Sequence, residues 1–545
     1  MPALRRVHRS PGSLTIAYEP MSNDLDRRQF TGLLFAAAFA ATAAGRARAA
    51  SAAGPDLRPA KSFSFDALAK HAAALARAPF TPAPSAANDV LNQIDYDAFQ
   101  QIKFRRDRTL QIERDRRHPV QLFHMGKGFL EPVHIHVVED GQAREVRYTS
   151  SLFDSPADHP ARQLPDGLGF AGFRVMAENL ETDWLAFLGA SYFRSSGPFN
   201  QYGLSARALA IDTGLPTPEE FPRFSEFYLS AEPSGPLIIH ALLDSPSVAG
   251  AYRFSIERLT DSRDVHRVVM DIEARLFARR DITRLGIAPF SSMFWYGESS
   301  RKQAADWRPE IHDSDGLALH LGNGERLWRP LNNPPTVMTN AFQDKNPKGF
   351  GLLQRDRDFV HYLDDGVFYE RRASTWVEPQ DDWGEGAVHL LEIPTDDEIH
   401  DNIAAYWCPA GVFKAGENRT YRYRLSWLDD IVFPDTLARA TNTWTGLGGR
   451  PGHKRPQGVR KFVIDFQGQP FASLGRNDGV ELVVTPSRGK LGTSYNHPVV
   501  DQRNRWRAVF DLEAQGREPV DIRAYLKRNG TPLTETWIYQ YFPED

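Results

Sequence analysis

The stretch Val268-Val269-Met270-Asp271-Ile272-Glu273-Ala274 alternates apolar and polar side chains with a period of two, and Tyr421-Arg422-Tyr423-Arg424-Leu425-Ser426-Trp427 does the same. This period places every second side chain on one face, as in strands that bury one face of a sheet. Residues 133–138 and 237–243 are further predicted strands, and turn-forming residues separate such segments throughout. The pattern predicts a mainly β protein with a large antiparallel β-sandwich.

The predicted elements divide the chain into two β-rich parts. We expect a large N-terminal sandwich over residues 60–428, a turn-rich linker at 429–440 and a second sandwich at 441–545. Phe65 to Arg77 and Asp89 to Gln101 are predicted to form helices before the strands begin. The last part suits an immunoglobulin-like fold, because five strands can be identified in it: Lys461–Phe466, Val480–Pro486, Arg505–Leu512, Val520–Lys527 and Glu535–Phe542.

Composition excludes several classes of protein. The 545 residues are 41% hydrophobic and 11% aromatic, which is typical of a globular chain rather than a disordered one. Residues 1–49 contain seven arginines and three acidic residues, so the rest carries 58 basic and 66 acidic residues. This acidic balance disfavours nucleic acid and anionic membrane surfaces as partners. The single Cys408 cannot form an internal disulfide.

The N-terminus is typical of an export signal. Arg27 and Arg28 precede an uncharged run from Gln29 to Gly45, and Ala47-Arg48-Ala49 fits a small-x-small cleavage site. The paired arginines predict export of a folded protein by the twin-arginine pathway. We therefore expect a periplasmic mature chain that begins after residue 49 and has no membrane anchor. Residues 1–20 are an over-extended start if translation begins at Met21.

Two short motifs allow both a chemical and a structural interpretation. His134 and His136 lie on one face of a predicted strand, a spacing that some metal sites use, but no third ligand is evident. Polar residues on the solvated face of a strand are more common, so no metal and no cofactor are predicted. Ser205 lacks the Gly-x-Ser-x-Gly elbow of a hydrolase nucleophile.

The segment from Phe294 to Trp407 is rich in tryptophan, arginine and acidic residues. Sugars bind aromatic platforms through their C–H faces and charged side chains through their hydroxyls. Glycoside hydrolysis requires two carboxylic groups, one to protonate the leaving oxygen and one to activate water. The segment contains the residue types for both roles, but its many carboxylates prevent spacing from selecting the pair. An acidic, Trp-rich surface over a core sheet is the alternative.

Several longer stretches carry a family resemblance. They include Gln121-Leu-Phe-His-Met-Gly, Gly169-Phe-Ala-Gly-Phe-Arg-Val, Gly189-Ala-Ser-Tyr-Phe-Arg, Ile311-His-Asp-Ser-Asp and Glu535-Thr-Trp-Ile-Tyr-Gln-Tyr-Phe-Pro. On these motifs the chain resembles the bacterial periplasmic glucan biosynthesis proteins, whose G and D branches act on osmoregulated periplasmic glucans. The twin-arginine signal favours the D branch.

This resemblance implies a galactose-mutarotase-like sandwich followed by an immunoglobulin-like domain. It also implies a role in setting the glucose backbone of β-1,2-glucan, by inverting endo-hydrolysis. Matched by motif, the general base falls on Asp313 and the general acid on Asp401. In the family the acid acts through a substrate hydroxyl and the base through a chain of waters.

Chemistry and position add predicted substrate contacts at Tyr369, Arg371, Trp376 and Trp383. Residues 396–400, just before the predicted acid, are more acidic than the family leads us to expect. Like-charge repulsion from them would raise the pKa of the acid, or they form a solvated loop.

Three functions remain open at this point. The first is a β-1,2-glucanase, and the second is a glucan-binding scaffold that presents the chain to other enzymes without cutting it. The third, a sugar epimerase, rests on fold analogy alone. Other periplasmic glucan biosynthesis proteins and a second copy of the chain are candidate partners besides the glucan.

Overall fold

A computed structural model describes residues 55–83, 87–112, 118–231, 235–260, 265–430 and 436–543. The predicted signal region at 1–49 lies outside these ranges. Within them the structure is mainly β, which confirms the predicted fold class. No helix in the described ranges is long and apolar enough to cross a bilayer.

The larger of two extended sheets has sixteen strands, and the alternating segments at 268–274 and 421–427 lie in its two central strands. These strands pair antiparallel with each other, from Val268 opposite Trp427 to Phe277 opposite Asn418. From edge to edge the strands are β1 (Lys61–Ser62), β6 (Gln142–Glu145), β5 (His134–Glu139), β13 (Phe224–Ala231), β14 (Leu237–Asp244), β15 (Val248–Thr260), β16 (His266–Ala278), β27 (Asn418–Leu428), β24 (Ser374–Pro379), β23 (Gly349–Leu353), β20 (Gly316–His320), β21 (Arg326–Pro330), β35 (Thr536–Tyr541), β33 (Val520–Arg528) and β30 (Val480–Pro486), with β34 (Thr531–Pro532) beside β33.

The second extended sheet has eleven strands and packs face to face against the first. Aromatic rings join the layers: Phe187 lies 5.1 Å from Phe254, and Phe173 lies 5.1 Å from Phe227. The strands in order are β22 (Met338–Lys345), β25 (Glu385–Glu392), β26 (Ile403–Pro409), β17 (Leu285–Ser292), β11 (Ser205–Arg207), β10 (Tyr192–Ser195), β9 (Asp183–Leu188), β8 (Gly172–Met176), β4 (Pro119–Phe123) and β3 (Leu110–Gln111), with β12 (Leu209–Ile211) beside β17. The interleaved rings form the main core of a β-sandwich.

The C-terminal residues form a second two-layer arrangement. One layer is a four-stranded sheet of β28 (Arg439–Leu447), β29 (Val459–Gln467), β32 (Arg505–Glu513) and β31 (Lys490–Pro498). The other layer is the end of the sixteen-stranded sheet, which β35 joins by pairing in parallel with β21. The five strands predicted here are all present. The strands β28 and β31 were not predicted, and β28 begins within the expected linker.

Two short strand pairs and a few helices complete the described chain. The pairs are β18 (Phe294–Tyr296) with β19 (Ile311–His312), and β2 (Lys103–Phe104) with β7 (Phe153–Asp154). The α-helices are α1 (Phe65–Ala76), α2 (Asn88–Leu91), α3 (Tyr96–Gln100) and α4 (Phe359–Tyr362). Short 3-10 turns lie at Arg106–Arg108, Ser150–Leu152, Pro160–Gln163, Gly197–Phe199, Glu298–Gln303, Tyr369–Arg371 and Gln469–Phe471.

The first predicted helix is confirmed and the second is corrected. The side chain of Ser64 caps α1 by accepting from the N–H of Ala67, and Leu68 is buried against the larger sheet. The predicted helix at 89–101 is instead the two short helices α2 and α3. The reason is local, since the carboxylate of Asp95 accepts from the N–H of Ala98 and starts a new helix there.

Candidate functional site

The chain segments that carry the two aspartates selected by the family motif are hydrogen-bonded to consecutive residues, Met293 and Phe294. The N–H of Asp313 donates to the carbonyl of Met293 at 2.9 Å. The amide of Asn402, next to Asp401, accepts from the N–H of Phe294 at 2.8 Å and donates to its carbonyl at 2.9 Å. Segments that are distant in sequence are thereby held at the same place, at the start of β18.

Asp313 is 5% exposed, and its Oδ1 lies 3.2 Å from Nε of Arg372. Burial raises the pKa of Asp313, while the positive charges of Arg372, His312 and Arg194 oppose that rise. Gly203 leaves room for this pair, because a Cβ there would lie 3.1 Å from Cδ of Arg372. The result is a buried carboxylate with an ion-pair partner and a raised affinity for a proton.

The charge of a second arginine, which no sequence pattern selects, acts on both aspartates. Arg194 on β10 is 5% exposed. Its positive charge lowers the pKa of Asp313, and the charge of Asp401 raises the pKa of Arg194. Both carboxylates therefore act on one guanidinium. The motif Gly189-Ala-Ser-Tyr-Phe-Arg contains this residue, but no sequence pattern shows that its side chain is buried.

The acidic run before Asp401 is partly neutralised. Glu398 receives hydrogen bonds from Arg308 at 2.9 and 3.0 Å and from the hydroxyl of Tyr369. Asp396 is exposed. The acidic run thus combines an ion-paired carboxylate, Glu398, with a solvated one, Asp396.

The four predicted substrate contacts lie in different surroundings. Tyr369 is buried beside the site, with the guanidinium of Arg372 5.3 Å from its ring, and Asp313 helps raise its pKa. Arg371 is half exposed and lies over Phe368. Trp376 and Trp383 are each 5% exposed and pack in two separate hydrophobic clusters, neither of which contains Tyr369.

The histidines at 134 and 136 make local contacts. Nδ1 of His134 lies 3.0 Å from Glu145, and His136 stacks on Tyr228 at 4.4 Å. In the described ranges, no group of three or more His, Cys, Asp or Glu side chains has the geometry to hold a metal ion.

Two cavities lie nearby, and neither aspartate is among their lining residues. A cavity of about 570 Å³ lies between the loop at 355–361 and the four-stranded sheet, and Trp444, Arg505 and Glu298 are among its lining residues. A smaller one beside it is lined by His312 and Asp315. Asp313 lies one position further along the chain, with its side chain at Arg372 instead. Carboxylates also line the larger cavity, among them Glu310 and Asp356.

His312 supports the loop that carries Asp313. Its Nδ1 lies 3.1 Å from the amide oxygen of Gln354, and its Nε2 lies 3.1 Å from Glu310. The amide nitrogen of Gln354 faces three acceptors, which fixes its orientation. Both ring nitrogens therefore face acceptors, and the ring is an imidazolium. These carboxylate contacts outweigh burial and raise the pKa of His312 to about 9.

The charge on His312 predicts a loss of stability at alkaline pH. Since its pKa in the fold exceeds the unfolded value of about 6.5, its contribution is complete below pH 6.5 and is lost as pH rises through 9. Between pH 7 and 10 we expect the free energy of unfolding to fall by up to about 3 kcal/mol more in the wild type than in His312→Gln. Urea unfolding at both values measures this. The exposed His71→Gln should behave as the wild type does, and equal pH slopes for His312→Gln and the wild type would refute the assignment.

Comparison with known proteins agrees with the resemblance seen in the motifs. The family described as "Periplasmic glucan biosynthesis protein, MdoG" matches residues 63–541. "Glucans biosynthesis protein D 2" of Ralstonia nicotianae is 51% identical, over 88% of this chain and 91% of that protein. "Probable glucans biosynthesis protein D" of Shewanella oneidensis is 46% identical over 88% and 89% of the two chains. "Glucans biosynthesis protein D" of Xanthomonas oryzae pv. oryzae is 45% identical over 88% and 90%.

Proposed function

The chain belongs to the family of periplasmic glucan biosynthesis proteins, and we propose that within this biosynthesis it cuts β-1,2-glucan by inverting endo-hydrolysis. In this proposal Asp401 is the general acid and Asp313 the general base. Tyr369 and Arg371 contact the substrate, and Trp376 and Trp383 remain sequence predictions for that role.

One observation carries the proposal. Asp313 and the neighbour of Asp401 are hydrogen-bonded to consecutive residues, Met293 and Phe294. Two carboxylates at one site are the minimum that acid–base hydrolysis of a glycosidic bond requires. Both also act on the buried charge of Arg194, which supports their proximity.

The surroundings of Asp313 suit a base. Its ion pair with Arg372 favours the ionised form, and burial raises its affinity for a proton. A carboxylate with a raised pKa accepts a proton from water more readily near neutral pH than an exposed one does. Inversion then requires Asp401 to protonate the leaving oxygen while the water activated through Asp313 attacks the opposite face of the sugar.

Export by the twin-arginine pathway remains part of the proposal, and Arg27 and Arg28 carry it. The residues that carry it lie outside the described ranges.

The direct test is to incubate the chain lacking residues 1–49 with linear β-1,2-glucan and to measure new reducing ends. Asp313→Asn removes the proton acceptor, so turnover should fall by about 10²-fold or more. Asp396→Asn changes an exposed carboxylate in the acidic loop and should leave turnover close to that of the wild type. Reducing ends released equally by the wild type and Asp313→Asn would exclude this residue as the base.

A glucan-binding scaffold is the second candidate. The names of the relatives speak of biosynthesis, not of hydrolysis, which favours it. In that case the protein binds β-1,2-glucan and releases no reducing ends, and the two aspartates contact hydroxyl groups. Binding without release in the same assay would select this function.

A further inference from the structure

Arg194 is a buried charge whose Nε has no hydrogen-bond partner among the described residues. Only 5% of the residue is exposed. Burial lowers the pKa of Arg194 to about 10, so it remains a cation at neutral pH. A buried charge without close partners destabilises a fold. Asp183 and Asp401 contribute counter-charge to Arg194, but its unpartnered Nε leaves a hydrogen bond for a ligand to make.

The residues directly opposite Arg194 on the neighbouring strands carry no charge. Its neighbour on β9 is Ala186. On the other side the register of β10 and β11 places Ser205 opposite it, and Ser291 follows on β17. These side chains are small and uncharged, and the negative charges that act on the guanidinium come from Asp183, at the start of β9, and from Asp401.

The guanidinium is nevertheless held in a fixed orientation. Its central carbon lies 4.3 Å from the centre of the Tyr202 ring. The hydroxyl of Tyr202 donates to Asp183 at 2.8 Å, and Arg174 lies 3.9 Å from the same carboxylate. Stacking covers one face of a guanidinium and leaves its edge N–H groups free to donate. Arg194 is thus held in the orientation in which it can donate two parallel hydrogen bonds to a ligand.

The surrounding charges select the kind of ligand. Arg372 and Arg308 are paired with Asp313 and Glu398, and Asp401 faces Arg194. The carboxylates match the arginines, so the site has no excess positive charge to attract an anion. A neutral ligand with adjacent hydroxyl groups can bind the guanidinium, because its two oxygens accept hydrogen bonds from two parallel N–H groups.

We propose that Arg194 binds adjacent hydroxyl groups of the glucose unit that lies between Asp313 and Asp401. This rests on the proposed function, since it takes β-1,2-glucan as the ligand. Arg194 then contacts substrate directly, and Tyr202 and Asp183 position it. The cost of burying its charge in the free protein is offset when the sugar binds.

The test measures affinity for linear β-1,2-glucan by calorimetry in an Asp401→Asn background, where the ligand is not consumed. Arg194→Met should raise Kd by about 10- to 100-fold, the worth of hydrogen bonds to a charged group. Arg194→Lys should recover only part of that loss, because an ammonium cannot donate two parallel hydrogen bonds. The thermal unfolding midpoint of Arg194→Met should equal or exceed that of the parent, since a buried charge with an unsatisfied Nε has been removed.

Arg329→Met is the matched control. Arg329 is 1% exposed but is paired with Glu392 at 2.9 Å, so its loss should lower the midpoint and leave the Kd of the folded protein unchanged. If the Asp401→Asn parent binds glucan and Arg194→Met does not change the Kd, the role of Arg194 is overturned and the proposed function is not. A lower midpoint like that of Arg329→Met would assign Arg194 to the fold instead. A parent that binds no glucan would overturn both this inference and the proposed function.

Discussion

Asp401→Asn is expected to lower the turnover of β-1,2-glucan by about 10²- to 10⁴-fold, the usual contribution of a general acid. The amide has nearly the same shape but no proton to give to the leaving oxygen. Asn402 keeps its hydrogen bonds to Phe294, so the loop should stay in place. Initial rates of reducing-end release measure the effect.

Two comparisons make this result specific to Asp401. Asp396→Asn removes an exposed carboxylate a few residues earlier and should leave the rate within about twofold of the wild type. Glucan affinity of Asp401→Asn should remain close to the wild-type value, because the general acid acts in the transition state. Near-normal turnover in a folded Asp401→Asn protein would exclude Asp401 as the acid.

Arg329→Met is expected to reduce the free energy of unfolding by about 3–5 kcal/mol, because it leaves Glu392 as an unpaired buried charge. Arg329 and Glu392 are 1% and 0% exposed and lie 2.9 Å apart. Glu392 also accepts from the N–H of Asn332 at 2.7 Å. The pair joins β21 of the larger sheet to β25 of the smaller one, so its loss should weaken the contact between the layers. Urea unfolding followed by tryptophan fluorescence measures this.

Two further variants show whether burial is the cause. Arg329→Met combined with Glu392→Gln removes both charges and retains an acceptor for Asn332, so most of the stability should return. Arg424→Met breaks an ion pair with Asp271 whose side chains are 45% and 51% exposed. Exposed pairs contribute at most about 1 kcal/mol. A loss in Arg329→Met no larger than in Arg424→Met would contradict the assigned role.

Much of the fold follows from local patterns. The alternation at 268–274 and 421–427 predicts strands because one face of each is buried, and the structure pairs these two strands with each other. The helix at Phe65 is predicted because its apolar residues fall on one face, and the structure adds the cap from Ser64. The error at 89–101 arises where the Asp95 cap interrupts a short helical pattern. Such a cap involves residues only three positions apart, so it is easily overlooked when a longer helical pattern is predicted.

What the sequence could not show depends on contacts between distant residues. The parallel pairing of β21 with β35 joins segments far apart in the chain, and no local pattern reports it. Motifs selected Asp313 and Asp401, but not the hydrogen bonds that hold Asp313 and the neighbouring Asn402 beside Met293 and Phe294. The burial of Arg194 is likewise a property of its surroundings. Trp376 and Trp383 show the same limit, since composition does not distinguish a sugar platform from a core side chain.

The junction of β21 and β35 also bears on how such proteins change over evolutionary time. Recombination transfers a domain intact when few contacts cross its boundary. Here the C-terminal strands complete a sheet that starts in the N-terminal part, and Glu535 near the chain end pairs with Arg355 at 2.6 Å. A transplanted C-terminal segment would expose the edge of β35 and leave β21 paired on one side only, with β20. The two parts are therefore expected to evolve together. Sequence divergence should accumulate by substitutions in loops rather than by recombination of separate domains.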